Sequence, residues 1–252
     1  MNILILTGAG ISAESGIPTF RGSDGLWEGH RVEDVATPEA FVRDPDLVWR
    51  FYNGRRRKLL QSDVHPNAAH HSLVRLERWH RSRYPDDSFL LVTQNIDDLH
   101  QRAGSENLLP MHGELLAARD MDDGEIFRWT GDFDRHTPHP EAPDDDTRRG
   151  RLRPHVVWFG EMPIGLNRID QAARSADVFL SIGTSGVVYP AAGIVETTPA
   201  DCQRIEFNLD DTPTSSHFDT TLRGPSSETL PNWVQSFVEQ RDGSVGEAYR
   251  AD

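Results

Sequence analysis

The sequence predicts an α/β fold in which a doubly wound parallel sheet carries a smaller inserted module. Short apolar runs alternate with helical patterns along the chain, which is typical of a parallel sheet covered by helices on both faces. Two stretches break this alternation and predict the inserted module. The predicted strands cover residues 2–7, 88–93, 108–111, 178–182 and 204–208.

The helices are predicted from their start signals and apolar patterns. Thr37 precedes Pro38 and Asp44 precedes Pro45. The Thr and Asp side chains can accept hydrogen bonds from N–H groups of a first helical turn, and proline suits the first helical position because the N–H that it lacks would have no partner there. These pairs predict helices over residues 37–41 and 44–60. Further helical patterns cover residues 67–81, 164–175 and 229–240.

The inserted module is predicted from two segments. Residues 26–62 are helical without an intervening strand, and residues 114–153 are polar, acidic and rich in turn residues. We expect one domain over residues 1–252, with a large part from 1–27, 63–111 and 164–252 and a small module from 28–62 and 112–163. Residues 133–151 are expected to form a mobile surface loop.

Charge and composition exclude several classes of protein. A formal charge of −14 opposes binding to a nucleic-acid backbone, and the longest apolar runs are of strand length, too short to span a membrane. The first residues lack the basic region of a signal peptide, which predicts a cytoplasmic protein. The single cysteine, Cys202, excludes an intramolecular disulfide and a tetrathiolate zinc site.

A glycine-rich run follows the first predicted strand. Gly8-Ala9-Gly10-Ile11-Ser12-Ala13 fits the pattern G-x-G-x-x-G/A, whose glycines let a backbone approach a pyrophosphate. A tight strand-to-helix turn or an ordinary dehydrogenase would show the same pattern. However, Gly16 and Pro18 predict that the helix ends after about one turn, whereas a dehydrogenase would continue it.

Three polar clusters also follow predicted strands. They are Thr93-Gln94-Asn95-Ile96-Asp97, Gly183-Thr184-Ser185 and Asn208-Leu209-Asp210. Each alone is also compatible with a turn or a helix cap. Because the carboxyl ends of the strands in a doubly wound sheet meet at one edge, the clusters together favour a site for ribose hydroxyls, an amide and adenine.

His112 also falls at the end of a predicted strand, where an imidazole can accept a proton near neutral pH. Taken alone, such a histidine is more often structural. No candidate nucleophile accompanies it, since Cys202 lies outside the motifs and no G-x-S-x-G run occurs. A base without an enzyme nucleophile suggests that substrate and cofactor react directly.

Together these motifs resemble the sirtuin (Sir2) family, in its bacterial desuccinylase-type subgroup. The resemblance is carried by Gly8–Ser12, Thr19-Phe20-Arg21, Thr93–Asp97, His112-Gly113, Val157-Trp158-Phe159-Gly160-Glu161, Gly183–Ser185 and Asn208–Asp210. It implies a single catalytic domain with a Rossmann-like large part, and NAD consumed as a co-substrate. The implied activity is an NAD-dependent protein-lysine deacylase that yields nicotinamide, O-acyl-ADP-ribose and free lysine.

The resemblance also implies the site residues. The catalytic residues would be His112, which would deprotonate a ribose hydroxyl, with Asn95 and Asp97 holding the ribose and nicotinamide ends. NAD would contact Gly8, Ala9, Gly10, Ser12, Ala13, Thr19, Phe20, Arg21, Trp27, Gln94, Asn95, Ile96, Asp97, Gly183, Thr184, Ser185, Asn208, Leu209, Asp210 and Ser226. An extended peptide would be held between strand-like residues 157–161, through Val157, Phe159, Gly160 and Glu161, and the loop containing Val187.

Tyr52 and Arg55 carry the subclass prediction. At positions i and i+3 they share one face of the second helix of the insertion. By resemblance to desuccinylase-type sirtuins, Arg55 would bind the distal carboxylate of a succinyl or malonyl group, with Tyr52 adding a bond. The alternative is a core-facing Tyr52 beside a solvated run of arginines.

The sequence departs from the family at the zinc site, because residues 112–159 contain no cysteine. Asp120, Asp122, Asp123, His136 and His139 would make a poor structural zinc site, so we expect no metal here. Phe127 and Trp129 are expected to help hold the module by packing. Two other functions stay open: an ADP-ribosyltransferase or NAD hydrolase, and a non-catalytic NAD-sensing module.

Overall fold

The computed structural model describes residues 1–19 and 27–248. Its strands are β1 (Ile3–Thr7), β2 (Phe89–Thr93), β3 (Leu108–Pro110), β4 (Gly113–Asp120), β5 (Ile126–Arg128), β6 (Leu152–Val156), β7 (Val178–Ile182), β8 (Gln203–Asn208) and β9 (Thr220–Arg223). Its helices are α1 (Gly10–Ala13), α2 (Val32–Val35), α3 (Pro38–Arg43), α4 (Pro45–Leu59), α5 (Ala68–Arg83), α6 (Leu99–Ala103), α7 (Leu166–Arg174), α8 (Ile194–Thr197) and α9 (Ser226–Ala248). In the described ranges, no helix is both long and apolar enough to cross a membrane.

The large sheet has six parallel strands in the order β3-β2-β1-β7-β8-β9. Side chains alternate between its faces: Ile3 and Ile5 pack in one core with α5 and α9, and Leu4 and Leu6 pack in another with α7 and α8. Both faces are therefore covered, which explains why β1 and β2 are apolar at four successive positions before their terminal threonines. This confirms the predicted α/β fold.

The small module contains an antiparallel sheet in the order β5-β4-β6. Its core joins this sheet to α2, α3 and α4. Thr37 and Asp44 cap α3 and α4 as predicted, accepting hydrogen bonds from the N–H groups of Ala40 (3.0 Å) and Leu47 (2.9 Å). The residue limits given above for the two parts stay a prediction.

One prediction about the module is wrong, and a second is incomplete. The strand expected at residues 157–161 lies earlier, at Leu152–Val156, and residues 157–161 follow it as an irregular segment. Pro154 lies within β6, which is an edge strand, where a missing N–H is tolerated. The segment at 133–151 lies largely at the surface, as predicted, but Phe133 and His139 within it are buried and anchor it to the module. Its mobility stays a prediction.

Packing and a buried polar cluster hold the module together. Trp129 stacks on Phe133 with ring centroids 5.2 Å apart, and Phe127 contacts the His139 ring edge to face at 5.1 Å, as the predicted anchoring roles require. Asp120, fully buried, lies 3.0 Å from His139 Nε2 and accepts a 2.9 Å bond from Arg148. No group of three or more potential metal ligands occurs in residues 1–19 and 27–248.

Candidate active site

A cavity of about 600 Å³ lies between the carboxyl edge of the large sheet and the small module. Most of the predicted site residues line it together. They are Gly8, Ala9, Gly10, Ala13, Thr19, Trp27, Tyr52, Arg55, Gln94, Asn95, Ile96, Asp97, His112, Val157, Phe159, Gly160, Glu161, Gly183, Thr184, Ser185, Asn208, Leu209, Asp210 and Ser226.

Strand register brings the sequence clusters to one level. Thr7 pairs with Thr93 on one side and Ile182 on the other, and all three are the last residues of their strands. The glycine-rich turn, the Gln94 cluster and the Gly183 cluster therefore leave the sheet side by side, as the polar strand ends predicted.

The glycines of two of these turns are packed against each other. A Cβ on Gly10 would lie 2.6 Å from Gly183 Cα, and one on Gly8 would lie 2.7 Å from Gly183 O. Gly183 itself has a φ of +61°, which an L side chain rarely adopts. Close contact between two turns thus requires glycine here independently of any pyrophosphate. Helix α1 ends after four residues, which confirms the short helix.

Asn95, Asp97 and Ser12 form one buried network below the cavity. Asn95 Nδ2 donates to Gly8 O (3.1 Å) and to Ser12 Oγ (3.2 Å), and Ser12 Oγ donates to Asp97 Oδ2 (3.0 Å). Burial raises the pKa of Asp97, although hydrogen bonds from Leu99 N and Ser12 act in the opposite direction. Ser12 does not line the cavity; it orients the two residues that do.

His112 presents an acceptor nitrogen to the cavity. Its Nδ1 lies 3.0 Å from the carbonyl oxygen of Gln94, which only accepts hydrogen bonds, so Nδ1 carries the ring proton and Nε2 is left with a lone pair. Burial lowers the pKa of His112 more than this bond raises it. The imidazole is therefore neutral at pH 7 and can act as a base.

The far end of the cavity offers groups for a nucleotide. Asn208 Nδ2 donates to Thr184 O (2.6 Å), which ties the two turns together. Ser226 opens the long helix α9, and its hydroxyl is buried without a hydrogen-bond partner among the described residues. A buried hydroxyl at a helix N-terminus fits a phosphate or ribose oxygen, so the residues present suit an adenine dinucleotide.

The opposite end of the cavity contains Tyr52 and Arg55. Trp158 Nε1 donates to Tyr52 Oη at 3.0 Å, and burial raises the pKa of the tyrosine, so its own proton remains available for donation. Arg55 Nη1 donates to Glu28 Oε1 at 2.7 Å, and its guanidinium lies 4.2 Å above the Trp27 ring. Burial also lowers the pKa of Arg55, against the field of Glu28.

Several predicted residues stand differently from expectation. Phe20 and Arg21 lie outside the described residues. Val187 is half exposed and is not part of the lining, whereas Val188 and Tyr189 are. The N–H groups of Val157 and Phe159 already donate to His112 O (2.9 Å) and Ala36 O (3.0 Å).

Glu161 also has internal partners. Its carboxylate accepts two bonds from Arg153, at 2.7 and 2.9 Å, and a third from Trp158 N at 2.8 Å. The Arg153 guanidinium lies 3.4 Å from the centre of the Trp158 ring. Glu161 thereby fixes the segment that lines the cavity.

Sequence reasoning missed Glu28 and Lys58, both of which line the cavity. Lys58 follows Arg55 by three positions on the same helix, a spacing from which its placement was predictable. No sequence signal identifies Glu28, because it meets Arg55 from a separate turn 27 positions earlier.

Comparison with known proteins gives consistent matches. A model described as the Sir2 family matches residues 8–190. A protein of Rhodopirellula baltica named NAD-dependent protein deacylase is 65% identical over 237 residues, covering 94% of this chain and 99% of the relative. A Sir2 homologue solved with ADP-ribose is 39% identical with a TM-score of 0.82, covering 96% and 93% of the two chains. A Sir2 structure described with a p53 peptide and NAD+ is 26% identical with a TM-score of 0.71, covering 96% and 93%.

Proposed function

The chain belongs to the Sir2 family, and from this we propose that it is an NAD-dependent protein deacylase that removes acyl groups from lysine. The observation that carries the proposal is the placement of His112, which lines the cavity together with Asn95 and Asp97 while its Nδ1 lies 3.0 Å from Gln94 O, so that Nε2 is the nitrogen left to accept a proton. This arrangement provides a base and polar groups for a sugar.

NAD is proposed to bind along the carboxyl edge of the large sheet. The turns at Gly8–Ala13 and Gln94–Asp97 would hold the nicotinamide ribose, and Gly183–Ser185, Asn208–Asp210 and Ser226 the adenosine half. Bound NAD supplies an electrophilic ribose carbon and a ribose hydroxyl. His112 would take the proton from that hydroxyl through Nε2, and Ser12 would keep Asn95 and Asp97 in place.

The protein substrate is proposed to enter as an extended segment carrying an acylated lysine. Residues 157–161 and the loop at 186–189, through Val188 and Tyr189, border the cavity. They would pair with the peptide through backbone groups other than the four N–H groups of residues 157–161 that already donate within the protein. In the same proposal, residues 28–62 and 112–163 form the small module that provides the peptide-facing wall.

An acidic acyl group is proposed as a preferred substrate, so that the activity includes removal of succinyl and malonyl groups beside acetyl. Arg55 provides a buried cation at the acyl end, and Tyr52 provides a hydroxyl that stays protonated. A guanidinium beside a phenol matches a carboxylate better than it matches a methyl group.

The proposal is tested with a peptide panel. Peptides carrying unmodified, acetyl-, malonyl- or succinyl-lysine are incubated with the protein and NAD, and mass spectrometry follows the peptide and nicotinamide. We expect acyl mass to be lost in step with nicotinamide release, and more slowly with His112→Ala. ADP-ribose mass added to the peptide, or nicotinamide release independent of peptide, would favour a transferase or hydrolase instead. NAD binding without turnover would favour a sensing module.

A further inference from the structure

The acyl end of the cavity contains a carboxylate of its own. Glu28 Oε1 is 2.7 Å from Arg55 Nη1, so the cation assigned to an acidic acyl group is already paired. We propose that Glu28 is a built-in competitor for Arg55, which holds the guanidinium when no acidic acyl group is bound and is displaced by the distal carboxylate of one. This inference rests on the proposed deacylase function and adds a residue that sets its acyl preference.

Glu28 is more exposed to solvent than the other polar residues of this site. Tyr52 is fully buried and the Arg55 side chain is 8% exposed, whereas the Glu28 side chain is 31% exposed. The guanidinium is backed by Trp27 at 4.2 Å and by Phe51 at 5.7 Å. An incoming carboxylate therefore approaches Arg55 from the side that Glu28 occupies.

The backbone presents Glu28 in an unusual way. Trp27 and His30 exchange backbone hydrogen bonds of 2.9 and 3.1 Å around a two-residue turn, in which Glu28 has a φ of +48° and Gly29 a φ of +79°. Such turns favour Asn-Gly, since both central residues need positive φ. Glutamate is a poor choice for this conformation, and a residue that breaks a local preference often serves a site. Its contact with Arg55 supplies the reason here.

The contact leaves Arg55 able to bind a better ligand. Glu28 makes one hydrogen bond to the guanidinium, and Arg55 Nε is buried without a partner within residues 1–19 and 27–248. A free carboxylate prefers to bind a guanidinium through two parallel bonds. An acyl carboxylate can therefore replace the single bond of Glu28 with a more complete set, which makes the competition reversible.

The expected effect follows from occupancy. If Glu28 holds Arg55 in about nine of ten molecules, the apparent affinity for a succinyl group is about tenfold weaker than the intrinsic one. An acetyl group has no carboxylate to bind Arg55, so Glu28 does not lower its apparent affinity. Removing the Glu28 carboxylate should thus raise the preference for succinyl-lysine over acetyl-lysine about tenfold, or ~1.4 kcal/mol.

The test measures binding of fluorescent succinyl-lysine and acetyl-lysine peptides by anisotropy, with the full chain and without turnover. Glu28→Gln removes the charge, and Glu28→Asn also removes it while improving the turn. Glu33→Gln is the matched control, because it removes an equal charge from an exposed position outside the cavity lining. We expect the ratio of the two dissociation constants to shift about tenfold towards succinyl in both Glu28 variants and to stay constant in the control.

An unchanged or reversed ratio in Glu28→Asn, an equal shift in Glu33→Gln, or no succinyl-peptide binding by any variant would overturn the inference. Failure of the deacylase proposal shows separately, as absence of NAD-dependent acyl loss from every peptide. The binding ratio is read without catalysis, so the two failures are distinguishable.

Discussion

Substituting Arg55 by methionine should change acyl preference far more than general activity. The methionine keeps an apolar stem against Trp27 but removes the guanidinium from the acyl end of the cavity. A hydrogen bond to a charged group contributes about 1.5–3 kcal/mol, so the ratio of kcat/KM for succinyl over acetyl peptides should fall about 10- to 150-fold.

Glu28 adds to this loss. Without Arg55, its carboxylate stands unpaired where the acyl carboxylate should bind, and two like charges about 5 Å apart repel by roughly 3 kcal/mol at an effective dielectric constant of 20. The double variant Glu28→Gln/Arg55→Met should therefore recover part of the succinyl activity that Arg55→Met loses. Arg55→Lys, which keeps the charge without the planar fork, should lie between wild type and Arg55→Met.

The assay is initial-rate kinetics on matched succinyl and acetyl peptides at saturating NAD. Equal losses on both peptides would refute the assignment of Arg55, because they would indicate a general effect on folding or on the lysine channel. No recovery in the double variant would show that Glu28 does not repel the acyl group.

Three further outcomes are expected. His112→Ala should lower kcat about 10²- to 10⁴-fold while NAD binding, measured by calorimetry, persists. In the wild-type protein kcat/KM should fall as the pH drops through a pKa below 6.5, and a midpoint at or above 6.5 would contradict a buried imidazole. Gly183→Ala should lower the melting temperature more than Gly16→Ala, because left-handed backbone costs about 1–2 kcal/mol at both positions but only Gly183 adds a clash. Gly16 has no atom of the described residues within 4 Å of its Cβ position, so similar losses in the two variants would mean that the turns at Gly10 and Gly183 separate freely. Asp120→Asn should lower the free energy of unfolding by about 2 kcal/mol, whereas Asp122→Asn, which changes an exposed ion pair, should have a small effect. A larger loss in Asp122→Asn than in Asp120→Asn would show that the buried cluster does not stabilise the module.

The sequence predicted the elements whose signals are local. Strands β1 and β7 consist mostly of apolar residues, and Thr37 and Asp44 stand at the helix starts where their side chains cap the first turn. It missed β9, Thr220–Arg223, since a largely exposed edge strand has no apolar run. Helix α9 begins earlier than expected and contains Pro231, which sequence rules place near a helix boundary.

The site could be predicted as a set of turns but not as a set of contacts. The polar clusters after the strands identified the cavity because parallel strands share an edge. The partners of Gly10 and Arg55 depend on backbones that are far apart in sequence, namely Gly183 and the turn at Glu28, and no local pattern records them.

Because Thr7 pairs with Thr93 and with Ile182, the register of the sheet sets the relative positions of the turns that form the site. Residue spacing along a strand is about 3.3 Å and successive side chains point to opposite faces. Deleting a single residue inside β2 would therefore withdraw Gln94 and Asn95 by that distance or turn the strand's apolar residues to the wrong face. Insertions in the connections beyond these turns would leave the strand register unchanged. Changes of length should therefore be tolerated in those connections but not within the strands.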